Sequence, residues 1–322
     1  MTEERTPSLE EVRRLVGTYS IASIRNWLKR CELPYSANTK DEIAARVHGL
    51  LTKQKLTLPG LTGAMIGIEE ASSKRTFLYR IPTSPADLQR IDKQLADLKV
   101  VLATERVPAF DPQPAAKIVY ALNTTEELRV KWTEMHKRVE ANRKTRTFDE
   151  SNIAKIIVLI ANKVTGLVQL RYDHPEDEHG HSQTAIASPD DYYDFFREQA
   201  ENLLGHTLEP VDLRMSLETV LKTTPRIVRS SYVVDKSEDG GLTKRTQRQQ
   251  HKDVRDLADW QYITTATTVR TFEEAPVRWL KEMAGGNLTR EVPTRIYAEH
   301  GIINFDADCY EEEIDHVLGQ LV

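Results

Sequence analysis

The densest collection of metal-ligating side chains lies in YDHPEDEHGHSQ, which holds His174, Glu176, Asp177, Glu178, His179 and His181. Imidazole and carboxylate oxygen are the donors of zinc and other divalent-ion sites. Their spacing matches no ligand motif, and Pro175 and Gly180 mark a loop tip between strands. A solvated polar loop therefore explains the composition better than a metal site built on His174, His179 and His181. VVDKSED supplies Asp235, Lys236, Glu238 and Asp239, the acid-and-lysine set with which a nuclease holds a metal and activates water. Their order fits that role loosely. NFDAD adds Asp306 and Asp308 as a further carboxylate pair. There is no GxxxxGK phosphate cradle, no GxSxG elbow and no CxxC pair. No cofactor is implied, and the residues give no positive support for an enzyme.

The other chemistry open to these side chains is electrostatic. The formal net charge is −5, yet the charge is unevenly placed. Between residues 18 and 55, Arg25, Lys29, Arg30, Lys40, Arg46, Lys53 and Lys55 face only Glu32, Asp41 and Glu42. From Ile296 to Val322 there are seven acids and neither lysine nor arginine. Such polarity points to an N-terminal arm that meets a polyanion. Two other stretches are basic. HKRVEANRKTR holds Lys137, Arg138, Arg143, Lys144 and Arg146 around a predicted helix end, where cations also complement the helix dipole. GGLTKRTQRQQHK holds Lys244, Arg245, Arg248, His251 and Lys252 and almost no apolar residue. It reads as a loop that either stays disordered or orders on a phosphate backbone. The acids of EEEID suit a helix start, or a docking surface for a basic protein partner or for the chain's own basic arm.

The elements that must position these groups follow from periodicity and punctuation. A helix is expected over Leu9–Val16, stopping at Gly17. Ser20 is placed to cap a second helix whose Ile21, Ile24, Trp27 and Leu28 share a face, ending before Pro34. Thr39 can cap a third, Lys40 to Thr52, which buries Ile43, Val47, Leu50 and Leu51. LTLPGLTG reads as a linker because Pro59 and Gly60 punctuate it. Strands are expected at AMIGIE, RTFLYRI, KIVYAL, KIIVLIAN, LVQLRYD and IVRSSYVVD, with a turn at SEDGG. Helices are expected at SPADLQRIDKQLADLKVVL, TTEELRVKWTEMHKRVEANRK, SPDDYYDFFREQAENLLG and TFEEAPVRWLKEM, and a last one from EEEID.

The stretch SIASIRNWLKRCELPYSANTKDEIAARVHGLL resembles a SAP motif, the helix–extended loop–helix unit of chromatin-associated and repair proteins. The resemblance rests on a basic first helix, an LP step, a polar loop containing Ser36 and a lysine-led second helix, and covers about a tenth of the chain. It implies DNA binding with little sequence preference, with Arg25, Lys29, Arg30, Ser36 and Lys40 facing phosphates. The sequence departs from the family at Glu32 and Ala37, where glycines are usual, and in a loop one residue longer, which Asn38 could relieve by turning left-handed. In layout, a helical head joined to an α+β body that binds DNA, the chain is also similar to the centromere protein N family. That likeness rests on no motif and transfers no residue.

Irregular interleaving of strands and helices argues for an α+β fold. The organisation read from it is a helical unit at 1–57, an α+β middle domain at 58–224 and an α+β C-terminal domain at 225–322. With 39% hydrophobic and 29% charged residues the composition is that of a globular protein. No apolar run approaches a membrane span, the first residues lack the apolar core of a secretory signal, and Cys31 and Cys309 are the only cysteines. A reducing compartment is expected, cytoplasm or nucleus. The function expected is sequence-nonspecific, nonenzymatic DNA binding through Arg25, Lys29, Arg30, Ser36, Lys40 and Arg46. Arg143, Lys144, Lys244, Arg245, Arg248 and Lys252 add contacts from the body. The alternatives are an adaptor subunit of a DNA-handling or defence complex, and a metal-dependent nuclease.

Overall fold

A computed structural model describes residues 7–17, 19–109, 115–142, 147–173, 189–223, 225–237, 241–246, 252–257, 260 and 271–322, with backbone alone for 137–142, 147–153 and 189–190. The chain begins with a helical head: α1 (Leu9–Gly17), α2 (Ile21–Arg30), α3 (Lys40–Thr52) and α4 (Leu58–Ala71). Ser20 Oγ accepts from the Ser23 N–H at 3.0 Å, Thr39 Oγ1 from Glu42 at 3.2 Å and Thr57 Oγ1 from Gly60 at 3.1 Å. Each side chain thereby satisfies a donor that a helix start leaves unpaired. Val12, Val16, Ile24, Trp27, Leu28, Ile43, Val47, Leu50, Leu51, Leu61 and Met65 form the head's core. Glu32, where the SAP family has glycine, adopts a left-handed φ of 55°; Asn38 does not.

The expectation of a linker at LTLPGLTG followed by a strand at AMIGIE is overturned, because the two form the single helix α4. Pro59 lies in the first turn, where its missing N–H costs nothing, and Thr57 supplies the cap. Proline and glycine that read as punctuation are here a helix start.

The body is one antiparallel sheet of twelve strands among the described residues. These are β1 (Lys74–Arg80), β2 (Lys117–Asn123), β3 (Glu127–Asn142), β4 (Thr147–Asn162), β5 (Leu167–Asp173), β6 (Glu209–Pro210), β7 (Val228–Arg229), β8 (Tyr232–Lys236), β9 (Leu242–Thr246), β10 (Thr271–Trp279), β11 (Val292–Tyr297) and β12 (Ile302–Phe305). Their order is β2-β3-β4-β5-β1-β12-β11-β10-β8-β9. β6 pairs with β1, and β7 with β10. Among the described residues four more helices accompany the sheet: α5 (Pro85–Asp97), α6 (Pro189–Leu204), α7 (Arg214–Lys222) and α8 (Glu311–Gly319). The fold is α+β, and no described helix is long and apolar enough to cross a membrane.

One face of the β2–β1 half packs Val130, Trp132, Leu159, Leu170 and Tyr172 against α5 and α6. In the β12–β8 half the opposite face packs Val233, Phe272, Val277, Trp279, Ile296 and Ile303 with α7 and α8. The sheet is continuous across the two halves because β1 pairs with β5 on one side and β12 on the other.

Three further element expectations are corrected. TTEELRVKWTEMHKRVEANRK is not a helix; it supplies β3, which pairs with β4 from Glu127↔Asn162 to Asn142↔Thr147. Leu128, Val130 and Trp132 alternate with Arg129, Lys131 and Thr133, and both sets are buried. Buried charge hid the period of two. TFEEAPVRWLKEM is β10 followed by a single 3-10 turn at Lys281–Met283, with an irregularity between Phe272 and Glu274 that blurs its alternation. Leu242–Thr246, expected as a loop, is β9, paired with β8 from Tyr232↔Thr246 to Lys236↔Leu242.

Candidate nucleic-acid interface

The basic residues of the head fall into two sets. At about 100° per residue, Ser23, Asn26 and Arg30 share one stripe of α2, and Arg25 and Lys29 share another roughly 110° away. The first stripe faces the body. Ser23 Oγ donates to Asp308 Oδ2 at 3.2 Å and Asn26 Nδ2 donates to the same oxygen at 3.3 Å. Ser72 Oγ donates to the other oxygen of Asp308. The Arg30 guanidinium lies 3.8 Å from the Tyr310 ring centroid and 3.8 Å from a Glu312 oxygen. Arg30, expected on a phosphate, instead fastens the head to α8.

The second stripe is open. Arg25 and Lys29 are exposed and form no ion pair with any described carboxylate. The Lys29 ammonium stands 5.9 Å from the Tyr35 ring centroid. Ser36 is exposed in the connector. Lys40 donates its Nζ to the Gly17 carbonyl, so this cation caps α1 from the start of α3. Arg46 is half-buried, and its Nε has no hydrogen-bond partner among the described residues. Trp27 belongs to the core at 8% exposure, as its spacing required.

Beneath the head lies a layer of buried charge. The Glu70 Oε2 accepts from Arg106 at 2.6 Å and Arg129 at 2.9 Å. Its Oε1 meets Lys131 at 2.7 Å and the Tyr120 hydroxyl at 2.7 Å. Glu69 accepts from Lys131 at 2.8 Å, from the Ala109 N–H at 2.9 Å and from the Tyr19 hydroxyl at 2.5 Å. Glu311 closes the layer, with one oxygen 2.9 Å from Arg106 and the other 2.5 Å from Arg129. Burial alone would push the Glu70 carboxyl up, but Lys131, Arg106 and Arg129 outweigh it and hold it at about 2. Burial likewise opposes ionisation of Glu311, and Arg129 and Arg106 prevail. These groups fix α4 and α8 on the sheet and present no free charge. Between α2, α4 and α8 runs a groove of about 530 Å³, lined in part by Trp27, Arg30, Gly63, Gly67, Arg106 and Tyr310.

The basic residues of the body are more dispersed. Lys244 is exposed on β9 and stacks 3.9 Å from the Tyr232 ring centroid. Arg245 lies on the other face, its Nε 3.2 Å from Asp235 Oδ1. Lys252 is exposed. Arg143, Lys144 and Arg248 lie outside the described residues, as do His174, His179 and His181. Among the described residues no group of three or more histidine, cysteine or acidic side chains is placed to hold a metal. Asp235, the pivot of the nuclease alternative, is fully buried against Arg245. Asp308 serves the head, and the α8 acids Glu311, Glu312 and Glu313 pair with Arg129, Arg30 and Arg290 of the same chain.

The docking role of Ser23, Asn26 and Asp308 is invisible in sequence, since the partners are more than 280 positions apart. The charge layer left one signal, the adjacent acids Glu69 and Glu70 at the end of an apolar stretch. No protein-family model and no curated protein sequence matches the chain.

Proposed function

We propose that this protein binds DNA through its sugar–phosphate backbone, without base preference and without catalysis, using the outward stripe of α2 in an anchored helical head. The observation that carries this reading is the division of α2. One stripe, Ser23, Asn26 and Arg30, is spent on the body, and the stripe turned away from it presents Arg25 and Lys29 without a carboxylate partner among the described residues. Cations held by a rigid element lose little freedom on meeting a phosphate, and each contact releases counterions condensed on the duplex. Ser36 is an exposed donor in the connector that follows α2, and Lys244 and Lys252 extend the contact from the body as weaker, separately placed sites. Phosphate contacts position a protein on DNA and do not read bases, so sequence preference is low.

The test is a duplex titration across salt concentrations with wild type, R25A/K29A, and R30A as a control. Losing two contacts should reduce the slope of log affinity against log salt by about two, equally for unrelated sequences. R30A should instead loosen the head on the body. Unchanged affinity and slope in R25A/K29A would overturn the proposal.

A further inference from the structure

The sheet carries a second place where polar groups wait for a partner. Arg75 of β1 pairs in register with Asn304 of β12, and Asn304 with Arg295 of β11. Directly paired residues project to the same face, so the three side chains form one row across three adjacent strands. Adjacent strands are about 4.8 Å apart, which puts the two arginine Cα atoms roughly 10 Å apart with the asparagine between them. This face is the one α6 covers in the other half of the sheet: the Arg75 guanidinium lies 5.3 Å from the Phe77 ring centroid and 5.1 Å from that of Tyr193 in α6. Arg295 is hydrogen-bonded to Tyr297, and Asp306 and the Tyr232 hydroxyl lie close enough to act on it.

The row is polar and unsatisfied, with Asn304 buried between two half-buried arginines. Asn304 is 4% exposed, and its Oδ1 has no hydrogen-bond partner among the described residues; the Nε atoms of Arg75 and Arg295 are likewise buried without one. Native proteins seldom leave three such groups side by side, because each unmade bond costs about 1–3 kcal/mol. A bound group that accepts from both guanidinium ions would satisfy the two Nε–H donors, and with the asparagine amide turned over its NH₂ becomes a third donor to the same group. Two arginines that bracket one amide suit a tetrahedral oxyanion.

We propose that Arg75, Asn304 and Arg295 form an oxyanion site on the open half of the sheet, occupied by a phosphate of a nucleic-acid backbone. The source of that phosphate rests on the DNA-binding reading above; the site itself does not. Phosphate is favoured over an acidic side chain because Lys244, exposed on the same face of β9, adds a cation with no carboxylate partner among the described residues, while Arg278 of β10 is paired with Glu291.

The experiment titrates the full chain with inorganic phosphate against chloride at matched ionic strength, following the thermal midpoint and the Asn304 side-chain amide resonance. Wild type should gain stability and shift that resonance, and R295M should lose at least about fivefold in phosphate affinity. N304D is the sharper variant. It places a carboxylate where the anion would sit, so it should raise the midpoint without phosphate and abolish the phosphate response. A wild type that responds equally to both salts, or an N304D that keeps its response, overturns the site. R25A/K29A should respond to phosphate as wild type does, which separates failure of this site from failure of the α2 surface. A short 5′-phosphorylated oligonucleotide should compete with phosphate; competition by polyglutamate alone would overturn the nucleic-acid assignment.

Discussion

Glu70 is fully buried and bound on three sides by cations, Lys131, Arg106 and Arg129. A buried pair of this kind adds little net stability compared with an apolar replacement, but removing one partner leaves the others uncompensated. E70Q retains shape and one acceptor while deleting the charge. It should destabilise the fold by about 3–5 kcal/mol in urea denaturation, with little change in the denaturant slope. E312Q, which loses only an exposed partner of Arg30 at 3.8 Å, should cost less than about 1 kcal/mol. Equal costs for the two variants would show that the buried layer does not behave as a charge cluster.

The elements are joined at a few points, and the most economical is Asp308. It receives Ser23 and Asn26 from α2 and Ser72 from the end of α4, where Ser72 and Asp308 also form a backbone bridge. D308A should therefore loosen α2 on the body by about 1–3 kcal/mol, since hydrogen bonds to a charged acceptor are among the stronger ones. Hydrogen exchange should quicken at the α2 amides and leave β3 and β4 unchanged. Uniform acceleration throughout would mean that the head and body unfold together. A second joint is Gly301, at φ +63°, where an added Cβ would stand 2.6 Å from the Val211 carbonyl and 2.9 Å from that of Leu78. Only glycine lets the β11–β12 turn come so close to those two carbonyls.

For the whole molecule, the charge layer sets the response to pH. The folded-state carboxyl of Glu70 is lowered from 4.5 to about 2, and that of Glu311 is lowered as well. In each case the unfolded chain binds the proton more readily. Their stabilisation is complete above the unfolded value and is lost as pH falls through the folded one. For Glu70 the shift corresponds to a loss on the order of 3 kcal/mol between about pH 5 and 2. Asp315, pushed up by burial, acts in the opposite sense and offsets part of it. Thermal midpoints measured across that interval should fall for wild type and fall less steeply for E70Q. Parallel curves would place the acid sensitivity elsewhere.

Sequence by itself determined the local features whose causes are local. Ser20, Thr39 and their helices, the strands at RTFLYRI, KIVYAL and LVQLRYD, the α6 helix and the burial of Trp27 were all legible, because capping and side-chain period act within a few residues. Wherever a long-range partner reversed a local preference, the tertiary structure decided. Arg129 and Lys131 lie in a stretch that reads as a helix until Glu69 and Glu70, about sixty positions earlier, neutralise them inside a strand pairing. Arg30 and Lys40 read as free cations until Glu312, Tyr310 and the Gly17 carbonyl take them up. A side chain's charge is written in the sequence; whether water, a phosphate or another part of the chain compensates it depends on distances that only the assembled fold fixes.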